Sequence, residues 1–240
     1  MEENKQKIKK VSKRHQPKGL TFLYEDQDII VVNKVSGLLS MGSAREREKT
    51  AYFMLTNYVK KGNPKSRNRI FIVHRLDKDT SGILVFAKTI KAKEFLQEEW
   101  HNFHKKYYAV VEGVLPEKEG VISTYLAENS IHRMYSVKNP EKGKLAKTAY
   151  KVVRESKKFS LLEIELLTGR KNQIRVHFSE MGHPVAGDKM YGEKAGLKRL
   201  ALHSASLTIA HPHSKKEMIF TTNTPSYFNK LLHLNSGTIR

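Results

Sequence analysis

The 240-residue chain has no cysteine. That excludes disulfide staples, zinc–thiolate centres and thiol nucleophiles, and it fits a reducing, cytoplasmic setting. Long apolar runs are missing too. Segments such as Ile29–Val32 are far too short to span a bilayer, and the N-terminus has no apolar stretch of the kind a signal peptide needs. No membrane role is expected. There is no GxGxxG turn, no P-loop and no GxSxG elbow, so neither a nucleotide cradle nor a serine hydrolase is visible. Acidic residues are scarce: 24 stand against 44 lysines and arginines, for a net charge of +20. A compact domain is destabilised by such self-repulsion, and the excess points to a polyanionic partner, nucleic acid first.

Residues 1–19 are lysine-rich and read as a disordered basic arm ending at Pro17 and Gly19. Residues 20–240 read as one folded domain with no internal repeat. "LTFLYEDQDIIVVNK" predicts strand, acidic turn, strand; "VSGLLSMGS" is a loop of small residues. "TAYFMLTNYVKK" carries Ala51, Met54, Leu55, Tyr58 and Val59 at helical spacing and is stopped by Gly62. "KAKEFLQEEWHNFHKK" repeats the helical pattern. Strands are then predicted at "KKYYAVVEGVL" and near 121–127, 133–138, 146–154 and 158–167. "NQIRVHFSEMGHP" is a short helix with Ile174, His177, Phe178 and Met181 on one face. Two strands around the turn HPHSKK and a last helix with Phe228, Leu231, Leu232 and Asn235 close the chain. Strands outnumber helices and follow one another directly. The fold class is therefore α+β, a largely antiparallel mixed sheet flanked by helices and loops.

Three clusters carry chemistry. In "FIVHRLDKDTSGILVFAK", apolar strands enclose His74, Arg75, Asp77, Lys78 and Asp79. Flanking cations favour the ionised form of a carboxylate, which suits a nucleophile or a charge stabiliser and not a general acid. A plain turn built on Asp77 and Asp79 is the bland alternative. In "TGRKNQIRVHF", Arg170 and Lys171 precede a helix start, an arrangement suited to phosphate, and Arg175 leaves the helix away from its apolar face. In "KKYYAVVEG", Tyr107 and Tyr108 point to opposite faces of a strand, so one can pack while the other meets a base. The pairs His101/His104 and His211/His213 lack evident carboxylate partners and read as surface histidines; no metal site is expected.

Together and in order, "LYEDQDIIVVNKVSGLLS", "HRLDKDTSGILVFAKT", "KKYYAVVEG", "LLTGRKNQIRVHFSEMGHPVAGDKMYG" and "RLALHSASLTIAHP" resemble the RluA-type family of RNA pseudouridine synthases over about residues 20–225. The resemblance implies the pseudouridine synthase catalytic fold and isomerisation of uridines in ribosomal or transfer RNA. It also implies Asp77 as the essential aspartate, Tyr107 as the active-site tyrosine and Arg175 as the basic residue paired with the aspartate. Arg75 would help displace the target nucleotide, with His74, Arg170 and Lys171 as further RNA contacts. No cofactor is implied, because nothing is added to or lost from the base. Whether the aspartate attacks C1′ or removes the C2′ proton stays open. Val35 stands where the family usually has proline, and Lys171-Asn172 where it often has Thr-His or Ser-His. Many members carry an N-terminal RNA-binding domain; here the basic arm and the domain surface would select the RNA. A monomer is the default expectation.

Overall fold

The computed structural model describes residues 16–42, 46–192 and 197–233. The basic arm, apart from residues 16–19, and Asn235 of the last predicted helix lie outside the described residues. In chain order the elements are β1 (Leu20–Glu25), β2 (Ile29–Lys34), α1 (Ala51–Lys60), β3 (Phe71–Ile72), β4 (Ser81–Ala87), α2 (Ile90–Glu98), β5 (His104–Glu112), β6 (Glu119–Glu128), β7 (Met134–Val137), β8 (Lys144–Glu155), β9 (Phe159–Leu166), α3 (Gln173–Glu180), β10 (Leu202–Ala210), β11 (Glu217–Thr221) and α4 (Ser226–His233). They fall into two compact units. Among the described residues, the first comprises those up to Trp100 with Ile209–Phe220, and the second those from His101 to Thr208 and from Thr221 on.

In the first unit β1 pairs with β2, β2 with β4, and the short β3 with β4, all antiparallel. Asp26 makes the β1–β2 turn: its Oδ1 accepts the N–H groups of Asp28 and Ile29, both at 2.8 Å. Ile29, Ile30, Val31 and Val32 are all fully buried, so this strand is a continuous apolar run with both faces covered. Thr50 caps α1 by accepting the Phe53 N–H at 3.1 Å, and Thr89 caps α2 through the Ala92 N–H at 3.1 Å. α1 ends at Lys61 in the left-handed region, with Ala51, Leu55 and Val59 turned inward.

In the second unit the antiparallel order is β10-β5-β9-β8-β6-β7. β9 shows the expected alternation. Leu162 and Ile164 are buried, while Glu163 and Glu165 meet Lys106, Tyr108 and His104 across the β5 ladder. α3 packs over the far end of the sheet, where Val176 joins Leu126, Met134, Ala146 and Tyr191 in one buried cluster. The face predicted for α3 needs a correction. Ile174, His177 and Phe178 are buried as expected, but Gln173 and Val176 complete the buried stripe and Met181 is exposed. Gln173 belongs inside because its side chain bonds Thr168, Arg170, Lys147 and Thr148.

Two buried histidines give the fold a pH signature. His177 lies between the Thr148 and Thr124 hydroxyls at 2.9 and 3.0 Å, and His203 bonds Thr222 at 2.9 Å. Burial lowers both to about 4. The unfolded chain takes up these protons near pH 6.5. Between about 6.5 and 4 the unfolded state therefore binds more protons, and stability falls as pH drops through that window. Denaturant titrations at pH 7, 5.5 and 4.5 should show a loss of about 1–2 kcal/mol per histidine after allowing for partial solvation. His203→Gln should flatten its share of the slope.

Candidate active site

Asp77 sits in the first unit, on the segment from Val73 to Thr80 that joins β3 to β4. Three side chains hold that segment. The His74 ring stacks on Trp100, 4.2 Å between centroids, and its Nε2 accepts the Val85 N–H at 3.1 Å. β3 ends at Ile72, and the imidazole takes an N–H of β4 just past the paired residues, where the chain turns away. Buried Ser40 then grips Leu76 on both sides of its backbone. Its Oγ donates to the Leu76 carbonyl at 2.7 Å and accepts the Leu76 N–H at 3.1 Å. Past Asp77, the Lys78 carbonyl accepts from the Gly37 N–H at 2.9 Å and from the Lys34 ammonium at 3.1 Å. Asp77 itself closes a tight turn, its carbonyl accepting the Thr80 N–H at 3.2 Å.

Lys34 is the unexpected member. It is fully buried at the end of β2, and its Nζ donates to Val35, Leu38 and Lys78 carbonyls at 3.1, 2.8 and 3.1 Å. Three N–H donors meet three acceptors, so the buried ammonium is satisfied. Burial pushes it down to about 8, and the charges of Asp79 and Asp77 oppose that fall. Both carboxylates thus act electrostatically on a cation fixed beneath their loop. Arg75 and Lys78 are exposed on the same segment, Asp77 is half-buried and Asp79 is exposed.

Tyr107 and Arg175 belong to the second unit. Tyr107 is buried in mid-β5, opposite Ile164 of β9 and Ser204 of β10. Tyr108 points to the other face and donates to Glu163 at 3.0 Å, the division expected of adjacent strand residues. Arg175 is fork-paired with Asp188: Nε to Oδ2 at 2.7 Å and Nη2 to Oδ1 at 2.8 Å, with Nη1 donating to Asn172 at 3.2 Å. Burial alone would raise the Asp188 carboxyl. Bonds and charge from Arg175, with the Met190 and Tyr191 N–H groups, outweigh it and hold the carboxyl below its usual range. Gly187 permits the approach of that turn. Its φ is 77°, and a Cβ there would lie 2.1 Å from the Arg199 carbonyl. The Tyr191 ring centroid lies 5.1 Å from the guanidinium carbons of both Arg175 and Arg133.

Arg170 and Lys171 are exposed ahead of α3, as the sequence suggests, but both are engaged. Arg170 Nε donates to the Leu145 carbonyl at 3.0 Å, and Lys171 Nζ binds Glu128 at 2.6 Å and the His132 carbonyl at 2.9 Å. One reading is corrected. His211 is not a surface histidine: it is buried and its Nε2 bonds Asp26 at 2.7 Å. With Asp28, these residues form the one group among the described residues with metal-ligand potential. The bonding argues for a structural role. His211 Nδ1 accepts the His213 and Ser214 N–H groups, so Nε2 carries the proton toward Asp26. Asp26 is further occupied by Tyr24, Asp28 and Ile29. Lys34, Ser40, Asp188 and Tyr191 received no role from the sequence. The one available signal was a lysine closing the apolar run IIVVNK.

The architecture is shared with solved structures. It superposes on human RNA pseudouridylate synthase domain containing 4 with a TM-score of 0.73, at 24% identity, over 88% of this chain and 91% of that one. The human domain containing 1 protein matches at TM-score 0.68 and 27% identity, over 86% of this chain and 84% of that one. A fold of the pseudouridine synthase class is thereby defined, and the sequence matches narrow it. The family model for RNA pseudouridylate synthase covers residues 28–180, which include Asp77, Tyr107 and Arg175. Ribosomal large subunit pseudouridine synthase D of Zymomonas mobilis subsp. mobilis is 35% identical over 221 residues, 86% of this chain and 69% of that protein. The dual-specificity RNA pseudouridine synthase RluA of Vibrio cholerae is 35% identical over 201 residues, 81% of this chain and 79% of that protein. The chain belongs to the RNA pseudouridylate synthase family, and with that family comes the enzyme class: an isomerase acting on RNA.

Proposed function

We propose that this protein converts specific uridines of ribosomal RNA, transfer RNA or both to pseudouridine, as a cytoplasmic monomer, with Asp77 as the reacting carboxylate. The observation that supports Asp77 is the clamped segment. A residue flanked by pinned neighbours holds its backbone in place during reaction, as positional catalysis requires. The reaction breaks the N1–C1′ bond, turns the base and joins C5 to C1′. Positive charge develops at C1′, as in glycoside cleavage, and a carboxylate stabilises or captures it. Attack at C1′ and removal of the C2′ proton both use the same side chain.

In this reading Tyr107 receives the uracil face and assists loss of the C5 proton, and Arg175 is the basic residue of the reaction, oriented by its fork to Asp188. Arg75 is exposed beside Asp77 and takes the place of the displaced nucleotide, whose unstacking costs a few kcal/mol. His74 acts by shaping the loop. Arg170, Lys171 and the basic arm contribute phosphate contacts, which dominate RNA affinity and weaken with salt.

The test is incubation of purified protein with unmodified transcripts of large-subunit ribosomal RNA and with a transfer RNA pool, followed by pseudouridine mapping. Pseudouridine is expected at a few fixed positions with EDTA present and no nucleotide added. Absence of conversion in both pools would sink the reading.

A further inference from the structure

Ile131 is the most exposed large hydrophobic side chain among the described residues, at 76%. A single exposed isoleucine is ordinarily unremarkable. This one sits at the tip of a hairpin that is braced throughout. Asn129 accepts the Ile131 and Arg133 N–H groups on its side chain at 3.2 and 2.9 Å, and its own N–H donates to the Arg133 carbonyl at 2.9 Å. His132 adopts φ of 61°, its carbonyl is held by Lys171 at 2.9 Å, and its ring bonds Glu128 at 2.9 Å. Below the tip, the Met134 N–H donates to the Tyr191 hydroxyl at 2.9 Å. Tyr191 is the ring shared by Arg133 and Arg175, so the tip is tied to the surroundings of Arg175. The brace holds an apolar group out in water.

The charge around it says what it meets. Residues 128–147 contain five lysines and arginines and two acids, Glu128 and Glu141, and Glu128 is already engaged by His132 and Lys171. Tyr135, exposed on β7, adds an aromatic face. An apolar wedge on a rigid stem, with cations running away from it, fits a nucleobase stack flanked by phosphates.

We propose that Ile131 is a wedge that seats against the base stack of structured RNA while the cations of residues 133–147 hold the adjoining phosphates. It makes the enzyme prefer folded RNA over an unstructured strand. The inference rests on the reading of the protein as an RNA-modifying enzyme.

The experiment uses the Asp77→Asn protein, so that binding is measured without turnover. The probes are a 2-aminopurine-labelled RNA stem–loop and a labelled linear oligouridine. The parent should raise 2-aminopurine fluorescence on the stem–loop. Ile131→Ala should abolish that rise and weaken stem–loop binding by about fivefold to tenfold. Linear RNA should bind within twofold of the parent, with the salt slope unchanged, and Ile131→Met should restore the wedge. Exchanging Lys138, Lys144 and Lys147 for glutamine should instead lower the slope of log K against log salt by about 2. Stem–loop affinity and fluorescence unaltered by Ile131→Ala would overturn the wedge. So would an equal loss on both RNAs that Ile131→Met fails to rescue, or photo-crosslinks from position 131 that land on protein. Failure of the wild-type chain to convert any uridine is a separate result and would strike the enzymatic reading itself.

Discussion

Asp77→Asn is expected to reduce pseudouridine formation by at least about four orders of magnitude, the scale on which removal of an essential reacting group acts. The amide matches the carboxylate in size but carries no charge to stabilise a cationic C1′ and no basic oxygen to take the C2′ proton. Both chemical routes therefore fail together. RNA affinity should stay within about twofold, because phosphate contacts carry most of it and the change removes none. The segment should remain in place, because Ser40, His74 and Lys34 hold it through backbone groups of the loop and of β4. Lys34 loses one of its two acidic neighbours and keeps Asp79, the stronger of the pair. Single-turnover conversion of a transcript, beside a filter-binding titration, separates the two effects. Conversion at the parent rate would remove the carboxylate from the mechanism.

The segment that carries Asp77 stood out in the chain because its neighbours are local: a polar island between apolar strands shows in a window of eighteen residues. The antiparallel sheet was legible for a similar reason, since period-two patterning in β9 needs only eight residues. What stayed hidden depends on contacts between distant segments. His211 read as a surface residue because its carboxylate partner, Asp26, is 185 positions away. Lys34 received no role because lysines are seldom fully buried, and nothing in IIVVNK announces three carbonyls converging on one ammonium. Arg175 was assigned a carboxylate partner from its place off the apolar face of the helix and from the resemblance. Its fork with Asp188, thirteen residues on, depends on the turn through Gly187. Ser40 is the clearest case. A serine in a loop of small residues looks interchangeable until its hydroxyl is seen to act as donor and acceptor on one distant residue.

Ser40→Ala should therefore be far more disruptive than a loop serine suggests. Loss of Oγ leaves the N–H and C=O of Leu76 without their partner at a buried position. Each such group costs about 1–3 kcal/mol, so a loss of about 2–4 kcal/mol in unfolding free energy is expected. The functional effect is separable from that loss. Leu76 immediately precedes Asp77, and the opposite side of Asp77 is still held through Lys78 by Lys34 and Gly37. The loop then keeps its anchors at His74 and Lys78 and loses the one next to Asp77. Displacement of a reacting group by about 1 Å lowers a rate by about a hundredfold. At a temperature where the variant is fully folded, kcat should fall by about ten- to a hundredfold while KM changes little, because Ser40 is buried. Ser40→Thr keeps the hydroxyl and should recover much of kcat even where its extra methyl group lowers stability. Parent-level kcat in folded Ser40→Ala would mean that the clamp stabilises the fold without positioning Asp77. A matching fall in the kcat of Lys34→Met would instead show that both ends of the loop must be held for the carboxylate to reach its target.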